Sequence, residues 1–357
     1  MDESFVKFTD KEGQEQEVEF DYEEEDTLDL SKKKIVSLDF ESIVNIPEIY
    51  EIDLGSNAIE SIDLTPLRGY SPLRRISFFK NQLTSVDLES LVQCPNLEEL
   101  NLGSNHFESI DLTPLSAARN LKRLRLFNNN LSSLDISPLK ECVSLETLEV
   151  ENNKLKTIDL SSLSSCPNLL QLNLMYNNIT EIDLKPLAGC NMLKFLYLHH
   201  NELQSIDLKP LGECSDFRIL RLGGNRLEEI DLNGLAPCKE LLRLGLAMNA
   251  ILSIDLKPLE NASNLSSLDL AGNRLSKIDL SPLENCESLS ELYLFSDHPE
   301  ENEFESLNVS SLFNCLDLED FGVSRETKLQ ADRKLQDEDD IPLAMEELIE
   351  EDRIAWI

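Results

Sequence analysis

Apolar residues recur along the chain in one fixed phrase. Around Leu172 it reads LLQLNLMYNNITEIDLKPLAGC, and the skeleton LxxLxLxxNxLxxIDLxPLxxCxx returns every 24 residues, with Leu, Ile, Val or Phe at the apolar sites. In the LxL core alternate residues face opposite ways. The pattern therefore predicts a short strand with Leu172 and Leu174 pointing inward and Gln171, Asn173 and Met175 outward. Thirteen such strands are predicted, from Leu28–Leu30 to Phe321–Val323, stacked in parallel. No single repeat can bury its own apolar side, so its neighbours must do it.

Three polar columns punctuate the period. Asn stands at 57, 81, 105, 129, 153, 177, 201, 225, 249 and 273, where the chain turns off the strand. A buried amide there can donate to and accept from neighbouring backbone groups, which Asp or Leu could not do. Eleven Asp residues keep the same spacing from Asp39 through Asp63, Asp87 and Asp159 to Asp279. Eight of them fall two residues before a Ser, Thr or Lys that usually precedes Pro, as at Thr65-Pro66, Ser137-Pro138 and Ser281-Pro282. We read this as an N-cap followed by Pro at the first helical position, hence one helical turn. Eleven like charges in a stack need backbone hydrogen bonds, which an Asx turn supplies; calcium and an acidic partner-binding stripe are the rival uses of the column.

The ends depart from the period. Residues 4–20 alternate as two strand-like runs around Lys11-Glu12-Gly13, predicting a hairpin cap. The Glu23–Asp26 run reads as a solvated edge. Near residue 297 Asn gives way to Asp297, and a five-residue insertion near His298–Glu303 shifts the register. Residues 326–357 read as two helical stretches broken at Asp337–Asp340 and Pro342. The expected domains are an acidic N-terminal cap over 1–26, the repeat array over 27–324, and a helical C-terminal cap or tail over 325–357.

The repeat resembles the leucine-rich repeat family, whose signature is L-x-x-L-x-L-x-x-N/C-x-L. The IDLxPLxxC form is similar to intracellular arrays common in prokaryotic, especially archaeal, proteins. The resemblance implies an α/β solenoid: a leucine-rich repeat horseshoe of about 12 repeats, with one concave parallel strand per repeat and short extended segments and helical turns on the convex side. It implies protein binding on the concave face and no catalysis. It also leaves room for a regulatory subunit of a GTPase or phosphatase, or an acidic chaperone of basic proteins.

Charge and cysteine usage narrow the partner and the compartment. With 68 acidic and 32 basic residues the formal charge is -36, which disfavours nucleic acid and anionic membranes as partners. Seven of eight cysteines share one column, at 94, 142, 166, 190, 214, 238 and 286, and Cys315 joins it after the insertion. Ile46, Tyr70, Ala118 and Ala262 occupy the same column elsewhere, so it is a packing column of small buried hydrophobes. Stacked free thiols and the lack of a signal-like start point to the cytoplasm. No CxxC pair, GxGxxG, HExxH or GxxxxGK occurs, so no metal, cofactor or catalytic site is expected.

On the expected concave face many outward positions are small, for example Gly103, Ser104, Gly223, Gly224, Gly245 and Ala271. Two regions are not. Arg75, Phe79, Lys80, Arg123, Arg125 and Phe127 would cluster toward the N-terminal third. Met175, Tyr176, Phe195, Tyr197, His199, His200, Arg221, Arg243 and Met248 would cluster in the middle. Aromatic residues, Met and Arg are the types enriched in interfaces and their hot spots. The rival reading is that aromatic rows pack on one another and only shield the sheet. The patches look locally basic, which would favour a partner presenting acidic and apolar groups. Either patch could equally form a homodimer interface. The amphipathic Ile341–Ile357 segment is expected to cap the array, with partner docking as its alternative.

Overall fold

The computed structural model describes residues 4–21, 26–46, 48–295, 301–338 and 340–357. It separates into two compact units, residues 1–177 and 178–357. Thirteen parallel three-residue strands are formed, from Thr27–Asp29 to Asp320–Gly322. Strand ends thus fall within a residue of the LxL pattern.

In the first unit seven of these strands lie in register at the 24-residue period, so that Leu100 pairs with Leu124 and Leu124 with Leu148. The hairpin of Ser4–Asp10 and Glu15–Phe20 is antiparallel, and its first strand pairs antiparallel with Ile35–Leu38. Val6, Phe8 and Phe20 are buried there beside Ile35. The hairpin thereby covers the edge of the IDL side of the first repeat. The predicted solvated run Glu23–Asp26 lies, apart from Asp26, outside the described residues.

In the second unit six strands run from Phe195–Tyr197 to Asp320–Gly322, five of them at the 24-residue period and the last pairing Leu292 with Phe321 after the insertion. Its C-terminal end differs from the two helices expected. Only Leu343–Glu350 is an α-helix, burying Ala344, Met345 and Leu348. Lys328–Ala331 is a strand that pairs in parallel with Ser306–Asn308 on one side and Ile354–Trp356 on the other. Leu329 and Ala331 alternate inward, and the Ser306–Asn308 edge needs backbone partners that a helix could not give. Trp356 packs its ring on Phe313, centroids 6.0 Å apart.

The helical turns after Asp63 and the later column members are 3-10, whereas that of the first repeat, Glu41–Val44, is α-helical, and the capping differs from the expectation. Thr65 and its counterparts are the first helical residues, not the caps, and the Thr65 and Thr113 hydroxyls bond back to Asp63 and Asp111. The Asp two residues earlier does the capping: Asp63 Oδ1 accepts from the Thr65 N–H at 2.9 Å, and Asp111, Asp183 and Asp279 do the same for their turns. Only Asp231 is itself the cap residue.

The insertion also behaves differently from the reading. Asp297 lies outside the described residues, and the amide role passes to Asn302. Its Nδ2 donates to Leu270 O and Leu294 O at 2.9 and 2.8 Å, and its Oδ1 accepts from Leu275 N at 2.9 Å. In chain order the five added residues thus fall between Phe295 and Asn302.

Candidate functional site

The face of the sheet turned to solvent carries the outward strand positions, which have no packing duty. In the first unit they form a charge ladder. Glu51, Arg75, Glu99 and Arg123 are successive partners in one row. Arg75 pairs with Glu51 at 3.1 Å, and Arg123 with Glu99 at 3.5 Å and Glu146 at 3.8 Å. Arg125 bridges Glu99 and Glu149, the latter at 2.7 Å. Gln171 extends the chain to Glu149 at 3.3 Å.

This corrects the expectation of a locally basic patch: every arginine of the first cluster is already neutralised by a glutamate one repeat away. The sequence held the signal, because residues 51, 75, 99 and 123 alternate in sign at the repeat spacing. Glu151 is the exception on the acidic side. One of its oxygens is buried and unpartnered. Burial, reinforced by Glu149 and opposed by Arg125, pushes its carboxyl up to about 7.

Phe79 and Phe127, two repeats apart, close on each other with centroids 5.8 Å apart. Gly103 between them makes room, since a Cβ there would lie 2.6 Å from the Phe127 ring. Here the aromatic rows do pack on themselves. Met175 is half-buried at the end of this unit, and Tyr176 is 46% exposed. Lys80 and Tyr176 precede ladder asparagines with left-handed backbone, φ 56° and 52°, as His200 and Met248 do in the second unit.

The second unit is built otherwise. Phe195, Ile219 and Arg243 make one row of neighbouring strands, and Tyr197, Arg221 and Gly245 the next. His199 stacks edge-on to Tyr197 and His200, centroids 6.3 and 5.6 Å apart. Burial, with the charges of His200 and Arg221, lowers its pKa to about 4, so it is a neutral imidazole at pH 7. Arg221 also lies within electrostatic reach of Tyr197 and of half-buried Asp269, whose carboxyl is raised by burial. Met248 is 42% exposed beside a cavity of about 520 Å³ that His200, Arg226 and Arg274 help to line.

Arg221 and Arg243 are both exposed. Among the described residues neither has a carboxylate within 4.0 Å, whereas Arg218 and Lys194 share Asp216 and Arg226 holds Glu202. Ile219, half-buried between Phe195 and Arg243, was not singled out by the sequence reading, since an isolated outward Ile gives no signal of its own.

The other columns are structural. Each Asp of the eleven accepts a backbone N–H two residues on. Hydroxyl and backbone donors hold Asp63, Asp111 and Asp159 below the usual carboxylate range. All eight cysteines are buried and free, and burial pushes Cys94 up to about 11 and Cys142 up to about 12. Among the described residues no group of three or more His, Cys, Asp or Glu is placed to hold a metal ion, and no helix is long and apolar enough to cross a membrane.

Comparison with known proteins agrees with this architecture. Residues 47–107, 119–179 and 143–203 match a leucine rich repeat model, and residues 213–331 match a model of the BspA type leucine rich repeat region. No curated protein matches the chain in sequence. Among solved structures it resembles an internalin, InlF, of Listeria monocytogenes, with TM-score 0.63 and 24% identity over 85% of this chain and 88% of that one. A leucine-rich repeat protein of Leptospira interrogans aligns with TM-score 0.68 and 21% identity, over 86% and 78%. The functional domain of InlJ from Listeria monocytogenes, which includes a cysteine ladder, aligns with TM-score 0.58 and 24% identity, over 85% and 68%. At these identities the likeness is one of fold.

Proposed function

Because the chain is a leucine-rich repeat protein, we propose that it is a non-enzymatic interaction scaffold whose partner, a protein or peptide, docks on the solvent face of the sheet. The observation that carries this reading is the surface of the second unit, where two exposed arginines with no carboxylate within 4.0 Å among the described residues stand beside Phe195, Tyr197 and Ile219. An unpaired guanidinium next to half-buried aromatic surface is the composition of an interface hot spot. A sheet already fixed by its neighbours loses little entropy when a partner binds. The first unit is the weaker candidate, because its arginines are consumed by Glu51, Glu99 and Glu149 and its phenylalanines by each other.

Eight buried free thiols suit a reducing compartment, so we place the protein in the cytoplasm. The net charge of -36 argues against nucleic acid as the partner. It also motivates the second reading, an acidic chaperone of basic proteins, whose binding would fall steeply with added salt.

Affinity capture from the native lysate with wild type and with Tyr197→Ala/Arg221→Ala/Arg243→Ala tests the proposal, with light scattering on both proteins. A partner held by wild type and lost by the variant is expected. Equal capture by both, at equal mass, refutes the sheet-face reading.

A further inference from the structure

Arg221 and Arg243, which make no ion pair among the described residues, specify more than a docking face. Arg221 and Arg243 lie on adjacent strands, offset by two residues along them, because Ile219 pairs with Arg243 and Arg221 with Gly245. With strands ~4.8 Å apart and ~3.3 Å per residue, their Cα atoms stand about 8 Å from each other. Side chains at alternate positions of an extended chain project on one side about 7 Å apart. Two carboxylates at such positions can each meet one guanidinium, and arginine binds carboxylates bidentately.

The surroundings favour that occupant. Gly245 beside Arg221 leaves the surface open, for a Cβ there would meet little but the Arg221 side chain, at 3.7 Å. Phe195, Ile219 and Tyr197 stand half-buried on the near side as apolar contact. Asp269, whose carboxylate feels the charge of Arg221, already accepts from the Ala271 N–H at 3.2 Å. At long range the net charge of -36 opposes an acidic partner; these two guanidiniums are the local exception, and a basic segment would meet them as like charges.

We propose that Arg221 and Arg243 receive two acidic side chains, at alternate positions, of an extended segment of a partner protein, with an apolar side chain of that segment against Phe195 and Tyr197. This inference rests on the sheet-face reading above.

A displayed library of linear peptides, selected in parallel on wild type, on Arg221→Gln/Arg243→Gln and on Tyr197→Ala, tests it. Selected peptides are then resynthesised and their affinities measured by anisotropy. The expected consensus on wild type carries Asp or Glu at alternate positions with an aromatic or aliphatic residue nearby. These peptides should bind the double Gln variant at least tenfold more weakly, and Arg221→Glu/Arg243→Glu should reverse the preference toward Lys and Arg. Far-ultraviolet circular dichroism confirms that each variant is folded. Peptides that depend on Tyr197 but carry no acidic preference overturn the carboxylate assignment and leave the scaffold reading standing. Enriched peptides indifferent to all three positions, or no enrichment on wild type, overturn both.

Discussion

Replacing Glu151 by Gln should stabilise the first unit at alkaline pH and leave it unchanged in acid. In the folded chain one Glu151 oxygen is buried without a partner and the carboxyl is raised from 4.5 to about 7. The cause is burial first, then the charge of Glu149; Arg125, the one cation acting on it, already bridges Glu99 and Glu149. A carboxyl raised on folding binds its proton more tightly in the native state. Its contribution is therefore complete below 4.5 and is lost as the pH climbs through about 7. At about 1.4 kcal/mol per pH unit that interval bounds the effect at ~3.5 kcal/mol. The side chain is only half-buried, and screening by water reduces the difference to roughly 1–2 kcal/mol.

Gln has nearly the same shape and never ionises, so the variant keeps its stability where wild type loses it. The single tryptophan, Trp356, belongs to the second unit and would not report this change. Amide hydrogen exchange in Arg123–Arg125 and Thr147–Glu149, at pH 5 and pH 8.5 after correction for intrinsic rates, reads it directly. Equal pH dependence of protection in the two proteins would refute the reasoning.

Two further outcomes follow from the columns. Asn225 donates to Leu198 O and Leu222 O and accepts from Leu203 N at 3.0, 2.8 and 3.1 Å; Asn225→Ala strands all three groups and should cost about 3 kcal/mol in urea unfolding of the second unit. Asn225→Asp, which cannot donate, should cost no less; recovery of wild-type stability by Asp would contradict the ladder. The cysteines, raised by burial to about 11 for Cys166 and about 12 for Cys238, should resist a thiol reagent at pH 8 until the chain is unfolded, and rapid labelling of the native protein would contradict their burial.

The strands were legible because period and alternation are set by neighbours 24 residues away, and those neighbours repeat. The Asn and Asp columns were legible for the same reason, since one hydrogen-bond arrangement recurs at Asn81, Asn153 and Asn225. What failed lay where repetition stops. Lys328–Ala331 is a strand because Ser306–Asn308 offers an edge, a tertiary circumstance that overrides local helical preference. The asparagine after the insertion was missed because counting forward from Asn273 lands on Asp297, whereas hydrogen bonding picks Asn302. The site was half legible. Residue type located the outward Arg and aromatic positions, but listing cations without the row beside them hid the glutamates that neutralise Arg75, Arg123 and Arg125.

Asn302 has a consequence for engineering. Eleven amides do the same job, yet one of them stands 29 residues after its predecessor instead of 24, and its three hydrogen bonds are as short as the others'. The fold thus measures the position of the amide in space and not its distance along the chain. The corner between a strand and its asparagine is a joint that has already accepted extra length. A designer who wishes to lengthen the chain has, between Phe295 and Asn302, an interval across which the amide ladder closes despite five extra residues.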